Sequence, residues 1–416
     1  MIKHIYAIIG TVLALAFALA NVPAMAQTSS FKGIAKQALA THPAILARQS
    51  FSAAAAAELD GASWQRYPTP SLEINSDNSG VTTGLLRVQQ PLWAGGRIDA
   101  GIDAASSRHH ASTSAVRETQ QEILLRVIAA YVEALRQQAR EETLARNVRE
   151  HERLLGLITR RVEHEASPRV DLELAQSRLY QARNELSQVT LGLANALTQL
   201  SELSGMRVRR VGELGADSAL GPQYRESMLD QALAWSPTLS RLGFEEEAAQ
   251  AEVESKRSVY KPQVSLRFES AHASAPLNGN LDYTTNRLML VLEAQTGAGL
   301  SARSGVEAAL GRLDAARQQR AVALRDLQER LSIDWDELRA ARERFENATL
   351  ASKSAKEVYE SYARQYTAGR KTWLDVLNTV RESALSDIAA TDANAQAEAA
   401  ALRLKLLTGN LTGISE

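Results

Sequence analysis

The chain contains 416 residues, carries a formal net charge of −1 at pH 7 and has no cysteine. The lack of cysteine excludes a disulfide framework, thiol chemistry and lipid attachment to an N-terminal cysteine. The near-neutral charge, with no basic patch, gives no indication of a nucleic-acid partner. Aromatic residues make up 5% of the chain, which is little for one compact core and favours an elongated body of long helices.

Residues 1–26 have the pattern of a secretory signal peptide. Lys3 supplies the positive start, residues 8–20 form a short apolar run, and Ala-Met-Ala at 24–26 gives a small-residue cleavage site. The run is shorter than the ~20 residues that a spanning helix needs, so a retained N-terminal anchor is the less favoured alternative. We expect the mature chain to begin near Gln27, outside the cytoplasm.

The first part of the mature chain predicts helix and then sheet. A helix is expected over residues 31–65, with an interruption at Pro43. Alternation of apolar and polar residues then predicts strands near 70–77 and 82–91. Pro91 is expected to end the second strand, because proline has no N–H to donate to a neighbouring strand.

A long helical hairpin is predicted next. Residues 101–165 contain no proline, and a helix of that length reaches roughly 100 Å at 1.5 Å per residue. Ser-Pro at 167–168 breaks the helix, residues 171–203 return antiparallel to it, and Gly205 caps the return helix.

The second half of the chain repeats this order. Strands are predicted near 263–271 and 283–293, followed by a long helix over 305–368. A turn at 369–371 precedes a return helix over 373–407.

Sequence similarity between the halves indicates a duplication. Gly-Ile-Asp-Ala-Ala at 101–105 reappears as Gly-Val-Glu-Ala-Ala at 305–309, a shift of 204 residues (305 − 101). The same shift aligns Tyr131 with Trp335, Asp171 with Asp375, and Gly205 with Gly409. We therefore predict a first repeat over 27–205 after the signal peptide, a connector over 206–222, a second repeat over 223–410 and a short tail over 411–416.

The four strands each have one apolar and one polar face. The apolar face is predicted to carry Leu72, Val264, Leu266, Phe268, Leu288 and Leu290. The polar face is predicted to carry Arg87, Arg267 and Arg287. Strands of this kind cross membranes in barrels, but four are too few to close one, so several chains would have to share a barrel. A small antiparallel sheet capping a helical body is the alternative.

The sequence does not predict an enzyme. His109 and His110 are adjacent, so their rings point to different faces of a helix and do not share a metal ion. His151 and His164 lack ligand spacing, and there is neither a glycine-rich phosphate loop nor a Gly-x-Ser-x-Gly motif. We therefore expect no catalytic residues, no metal and no cofactor.

Three segments together resemble the TolC-type outer-membrane channel family. They are Gln-Pro-Leu-Trp-Ala-Gly-Gly-Arg at 90–97, Ser-Pro-Arg-Val-Asp-Leu at 167–172, and Ala-Gly-Arg-Lys-Thr-Trp-Leu-Asp-Val-Leu at 368–377. With the signal peptide and the duplicated units, the resemblance covers nearly all of the mature chain. It implies a mainly α fold with a small β part, located in the outer membrane with its helices in the periplasm.

The resemblance also implies an assembly. Three chains would share a twelve-stranded transmembrane β-barrel in outer-membrane lipid and form a tunnel of long helices, an α-barrel, across the periplasm. A periplasmic adaptor and an inner-membrane transporter would dock at the helical tips. The tip positions implied for docking are Pro168, Arg169, Asp171, Gly369 and Arg370.

A closed entrance is implied at the second tip. The family's tyrosine, basic residue and acidic residue fall on Tyr366, Lys371 and Asp375. Asn378 stands one helical turn further on, where a second acid can occur, so the charge of an inner acidic ring stays open. Lys371 and Asp375 are four residues apart and would share a face if both were helical.

The tip sequences favour one branch of the family. Ser-Pro-Arg-Val-Asp and Trp-Leu-Asp-Val-Leu-Asn look like type I secretion members, including those that export large adhesins. The predicted function is therefore the outer-membrane exit duct of a type I protein secretion system. Small-molecule efflux is the first alternative, and a periplasmic coiled-coil adaptor or scaffold is the second.

Overall fold

The structure is a computed structural model that describes residues 29–76, 82–215, 225–274, 283–294 and 301–411. The predicted signal peptide at 1–26 lies outside the described residues, as do 216–222 of the predicted connector and 412–416 of the predicted tail. The described chain is mainly helical with one small antiparallel sheet, so the predicted fold class is confirmed at that level.

The helices and strands alternate in two blocks. In chain order the helices are α1 (Phe31–Thr41), α2 (Pro43–Trp64), α3 (Arg97–Glu163), α4 (Arg169–Ser204), α5 (Arg225–Trp235), α6 (Pro237–Arg257), α7 (Ser301–Thr367) and α8 (Trp373–Leu407). The strands are β1 (Thr69–Ser76), β2 (Thr82–Trp93), β3 (Gln263–Ser274) and β4 (Tyr283–Glu293). Each block contains two shorter helices, two strands and one long helical hairpin.

Proline sets the break between the two shorter helices in both blocks. Pro43 and Pro237 each stand at the first position of the second helix, where the missing N–H is not needed and the fixed φ suits a helix. The preceding residues, His42 and Ser236, accept hydrogen bonds from the first turn. The first predicted helix is therefore two helices in sequence.

The two longest helices, α3 and α7, have the same length, and α3 lies at the centre of the molecule. Each contains 67 residues, which corresponds to about 100 Å. α3 packs against α2, α4, α6 and α8, whereas α7 packs chiefly against α6 and α8. In the described part of the chain, no helix has a stretch long and apolar enough to cross a membrane.

The four strands pair in sequence order, β1-β2-β3-β4. Leu72 faces Leu86, and Phe268 lies between Val88 and Leu288, so apolar residues form rows on one face. Five of the six predicted apolar-face residues are exposed and Val264 is partly buried.

On the opposite face of the sheet, polar side chains form hydrogen bonds between neighbouring strands. The Nε–H of Arg87 donates to Glu269 Oε1 at 2.8 Å, and Arg267 donates to Gln89 Oε1 at 3.2 Å. The predicted separation of apolar and polar faces is therefore present in the sheet.

The prediction that Pro91 ends its strand is wrong. β2 continues to Trp93, Pro91 pairs with Ser265 of β3, and the register shifts between Pro91 and Trp93. β1 no longer pairs beyond Gln89, so at Pro91 the strand has a neighbour on one side only. Such an irregular edge position is where a strand accommodates proline.

The main core surrounds Tyr131 in the middle of α3. Its side chain is fully buried, and its hydroxyl donates to the carbonyl oxygen of Gly212 at 2.7 Å and lies 3.2 Å from that of Ser29. Ser29 and Val211 form a parallel bridge beside it. Tyr131 thus fixes the start of the described chain and the segment after α4 onto the long helix.

Candidate functional site at the hairpin tips

The ends of the two hairpins lie together. The indole N–H of Trp373, in the first turn of α8, donates to the carbonyl oxygen of Asp171 in α4 at 3.1 Å. Next to this bond, residues of α3, α4, α7 and α8 form an apolar cluster. Its buried members are Leu154, Ile158, Ala175, Tyr366, Trp373, Val376, Leu377 and Val380. The two tips therefore form one packed unit within the protomer.

Both tips turn by the same backbone device. At the first tip the N–H of Ala166 donates to Arg161 O at 2.7 Å, and Glu165 takes a left-handed φ of 59°. At the second tip the N–H of Arg370 donates to Gln365 O at 2.9 Å, and Gly369 has a φ of 74°. These six-residue closures with a left-handed residue are Schellman motifs, which satisfy carbonyl groups at the end of a helix.

The return helices begin differently at the two tips. α4 follows Pro168, which provides no side-chain cap. α8 follows Thr372, whose hydroxyl accepts the N–H of Asp375 at 3.2 Å, while the Asp375 carboxylate accepts the N–H of Thr372 at 3.0 Å. The side-chain and backbone hydrogen bonds with Thr372 hold the pKa of Asp375 below its ordinary value, and the charge of Lys371 adds a smaller effect. The capping box therefore keeps Asp375 ionised at the start of α8.

Tyr366 of the predicted gate is packed inside the protomer. It is 8% exposed, and its ring centroid lies 5.2 Å from that of Trp373. The guanidinium carbon of Arg161 lies 5.0 Å from the same ring. The Tyr366 hydroxyl is buried and has no hydrogen-bond partner among the described residues. Its contribution within one protomer is therefore packing.

The condition under which Lys371 and Asp375 would share a helical face, that both are helical, is not met. α8 begins at Trp373, and the residue between Lys371 and the helix, Thr372, is extended with ψ 160°, so Lys371 is outside the helix. Its ammonium group lies 4.1 Å from the ring centroid of Tyr362 instead, a cation–π arrangement. Asn378 is exposed on α8.

The predicted docking positions are mostly on the surface. Four of them are exposed: Pro168, Arg169, Gly369 and Arg370. Asp171 is partly buried and gives its carbonyl group to Trp373. The sequence analysis did not predict Trp373 as a site residue. A tryptophan directly after a turn was nevertheless a signal for a side chain that packs against a neighbouring element.

A polar link joins α3 to α7 above the tips. Arg153 pairs with Glu150 at 2.6 Å and donates to the hydroxyl of Tyr359 at 3.1 Å. That hydroxyl donates to Glu150. Burial and the bond to Glu150 raise the pKa of Tyr359 to about 12. Burial opposes ionisation of Glu150, but the hydrogen bonds from Arg153 and Tyr359 outweigh it and the pKa of Glu150 lies below its ordinary value.

Further charged contacts continue this seam away from the tips. The Nε–H of Arg140 donates to Asp392 of α8 at 2.7 Å. Asp387 of α8 accepts the hydroxyl of Ser352 and lies 3.8 Å from Arg146. Beyond the apolar cluster at the tips, the first hairpin thus meets the second through these polar groups. Such partly exposed pairs are individually weak, so this seam is easier to part than an apolar one.

The described histidines do not form a metal site. Within the described ranges, no group of three or more histidine or acidic residues is arranged to hold a metal ion. The rings of His109 and His110 lie 5.8 Å apart, and His110 packs on Phe244 at 5.2 Å.

Comparison with known proteins identifies one sequence family. The chain matches the family described as outer membrane efflux protein over residues 34–206 and 228–410. It is 23% identical over 303 residues to the alkaline protease secretion protein AprF of Pseudomonas aeruginosa. The alignment covers 70% of this chain and 62% of AprF, so the chain spans less than two thirds of that relative.

Two solved structures have the same fold over nearly their whole length. CusC superimposes with a TM-score of 0.81 at 15% identity, covering 92% of this chain and 92% of CusC. The outer membrane protein VceC of Vibrio cholerae superimposes with a TM-score of 0.79 at 17% identity, covering 91% of this chain and 96% of VceC. The arrangement of strands and long hairpins is therefore shared with these proteins.

Proposed function

The chain belongs to the outer membrane efflux protein family, and from this premise we propose that it is the outer-membrane exit duct of a tripartite export system. The family consists of channel proteins rather than enzymes. The protein resides in the outer membrane, with its helical tunnel in the periplasm. The observation that carries the proposal is the joining of a four-stranded sheet, apolar on one face, to two helical hairpins whose longer helices are each about 100 Å long.

The duct is a homotrimer with a shared barrel. Among the described residues, β1 and β4 each have a neighbouring strand on one side only, and four strands are too few to close a barrel. Three copies joined edge to edge give twelve strands. No isolated monomer should then conduct ions.

The apolar face of the sheet faces outer-membrane lipid. Leu72, Leu288 and Leu290 are each more than two thirds exposed in the single chain, which supports contact with lipid. The Arg87–Glu269 pair lies on the opposite face, which faces the water-filled interior of the barrel. An arginine moved to the lipid face would cost about 2–4 kcal/mol near the bilayer centre.

The hairpin tips contain the entrance and the docking surface. The gate comprises Tyr366, Lys371, Asp375 and Asn378, and Asp375 gives the ring its charge. The docking residues for a periplasmic adaptor and an inner-membrane transporter are Pro168, Arg169, Asp171, Gly369 and Arg370. The exposure of most of these docking positions supports the assignment.

The exported substrate is a protein passing through a type I secretion system. Similarity to AprF, whose name describes secretion of an alkaline protease, supports this choice, as do the tip sequences. Efflux of small molecules is the second candidate, favoured by the family's description as efflux proteins. The family match does not support a periplasmic adaptor or scaffold.

A deletion strain tests the two candidates directly. Loss of one or more secreted proteins from the culture medium, with unchanged sensitivity to drugs and detergents, is the result expected for protein secretion. Increased sensitivity with an unchanged set of secreted proteins would instead assign the chain to efflux. Both measurements should be restored by a plasmid copy of the native chain.

A further inference from the structure

Three arginines lie close together on the polar face of the sheet. Arg87 of β2 and Arg287 of β4 pair in register with Glu269 of β3, one on each side of it. Arg267 stands two residues before Glu269 on the same strand, so its side chain points to the same face. The three arginines thus occupy two neighbouring rows of the sheet, which lie about 7 Å apart along the strands.

A single carboxylate lies among these three positive charges. Glu269 forms its ion pair with Arg87 at 2.8 Å, and its side chain is only 18% exposed. Arg267 donates to Gln89, a neutral amide that does not compensate the charge of the guanidinium. Arg287 is exposed and has no ion-pair partner among the described residues. Two positive charges per chain are therefore left uncompensated in these rows.

The other acidic residues of this face stand outside the two rows. Glu73 of β1 pairs in register with Leu85, one row further from the helices. Glu293 ends β4 four residues after Met289, the register partner of Arg267, on the side that leads to α7. In the described strands, the polar face is therefore positive in its middle and negative towards both ends.

In the proposed duct this face lines the interior of the barrel. Three chains with two uncompensated positive charges each place six at one level of the pore. We propose that Arg87, Arg267 and Arg287 form a basic belt that binds polyanions inside the barrel, and that its ligand is a carboxylate-rich stretch of the exported polypeptide. Rings of basic side chains select anions in pores in this way. The inference rests on the proposed trimeric duct.

The basic belt has the opposite sign to the proposed entrance. At the tips the capping box keeps Asp375 ionised, so the ring of tips is negative. A carboxylate-rich segment that has passed the tips moves from repulsion towards attraction, which favours its onward movement into the barrel. The two ends of the duct thus act on the same charge in the same direction.

The contacts with the basic belt are individually weak and depend on salt. One exposed pair between an arginine and an anionic group changes affinity by about 1.4-fold to 5-fold. Three pairs, one from each chain, change it by about 3-fold to 100-fold. The screening length falls from about 30 Å at ~0.01 M salt to about 3 Å at ~1 M. Polyanions should therefore bind at low salt and be released at high salt.

Binding of tripolyphosphate to the purified full-length protein tests the basic belt. In calorimetry at about 0.01 M salt, Arg287→Gln should weaken binding by about 3-fold to 100-fold. Arg287→Lys keeps the charge and should bind tripolyphosphate as the native protein does. Arg339→Gln is the matched control, since it removes an exposed arginine of α7 outside the sheet and should leave the affinity unchanged.

Removal of a flanking carboxylate should act in the opposite direction. Glu73→Gln lowers the negative charge one row away from the basic belt, so tripolyphosphate should bind more tightly. Raising the salt to about 1 M should abolish binding to every variant. Equal affinities of the native protein and Arg287→Gln, or an equal loss in Arg339→Gln, would overturn the belt.

Currents in planar bilayers locate the site and test its ligand. An oligoglutamate peptide added on the barrel side should reduce the current, and Arg287→Gln should need about 3-fold to 100-fold more peptide for the same block. Added on the side of the tips, the peptide should block less, because Asp375 repels it. Equal block from both sides contradicts a site in the barrel. Block by tripolyphosphate without block by the peptide contradicts the polypeptide ligand.

Assembly and orientation are measured on the same preparations. Light scattering gives the number of chains. The chain has no cysteine, so a membrane-impermeant thiol reagent applied to Arg287→Cys and Leu288→Cys in vesicles shows which face meets water. A trimer that reacts at position 287 and not at 288, yet binds no polyanion, overturns the basic belt alone. A monomer, or reaction at 288 instead, overturns the proposed duct as well.

Discussion

The two long helices have equal lengths and corresponding sequences but very different surroundings. α3 has buried side chains along its whole length, from Ile98 to Ile158. The buried side chains of α7 are few: Ala309, Leu313, Leu327, Leu331, Leu338, Ala341 and Tyr366. α7 also exposes apolar residues, including Ile333 at 57% and Leu350 at 66%. The helices packed around each long helix, rather than its helix propensity, therefore decide which of its side chains are buried.

The same difference appears where the repeats align residue by residue. Tyr131 of α3 is fully buried and hydrogen-bonded to the backbone, whereas Trp335 of α7 is partly exposed beside a second apolar cluster. In the first repeat this aromatic residue thus fixes another segment of its own chain onto the long helix. The apolar surface left on α7 fits the proposed contact with a neighbouring copy.

Truncation of one apolar residue in each long helix should give the largest contrast. Ile128 of α3 is 1% exposed, so Ile128→Ala should lower the free energy of unfolding by about 2–5 kcal/mol. Leu350→Ala in α7 should change it by no more than about 0.5 kcal/mol but should weaken the trimer. Denaturant titration and light scattering in detergent measure the two effects. Equal losses of stability would contradict the difference between the helices.

Alanine at the two capping glycines should give the next largest contrast. Gly205 and Gly409 end α4 and α8 with φ of 67° and 73°, so alanine costs about 1–2 kcal/mol at either. At Gly409 a Cβ atom would also lie 2.5 Å from Trp235, compared with 3.5 Å from Thr41 at Gly205. Overpacking adds about 1–3 kcal/mol, so Gly409→Ala should be the more destabilising change. Thermal unfolding of the two variants side by side would show whether the order is reversed.

The aligned aromatic residues should differ by a smaller amount. Tyr131→Phe leaves the partly buried carbonyl of Gly212 without its donor, which should cost about 1–3 kcal/mol. Trp335→Phe, the matched change in α7, removes surface that is already partly in water and should cost less. Limited proteolysis within the segment after α4 gives a local measure, because Tyr131 fixes that segment. Equal protection in both variants would contradict the anchoring role of Tyr131.

The smallest effect concerns the polar seam between the helices. The pKa of Tyr359 is raised to about 12, above its ordinary value near 10. A raised tyrosine pKa means that the bond to Glu150 stabilises the fold fully below pH ~10 and is lost as the pH rises through about 12. The absorbance difference between the native protein and Tyr359→Phe should therefore show tyrosinate forming near pH 12. Ionisation near pH ~10 would mean that α3 and α7 are already apart there.

The sequence by itself determined the local elements. Alternation with period two fixed the strands and their apolar face, since neighbouring side chains of a strand point to opposite sides. Proline and glycine fixed the breaks, as at Pro43, at Gly205 and at the turn before Trp373. The sequence predicts a duplication because equivalent turns and caps need the same residue types. The motifs at the strand end and at the tips were sufficient to indicate the family.

Only the tertiary structure decided which elements meet. The pairing of β2 with β3 joins the two repeats across a long stretch of chain, and no local pattern specifies a distant partner. The same holds at the tips, where Trp373 binds Asp171, Tyr366 turns inward and Lys371 lies over Tyr362 rather than beside Asp375. Spacing along a helix predicts neighbours only while the chain is helical, and Lys371 precedes the helix. Burial of α3 and exposure of α7 were likewise settled by the number of neighbouring helices, which two similar sequences do not encode locally.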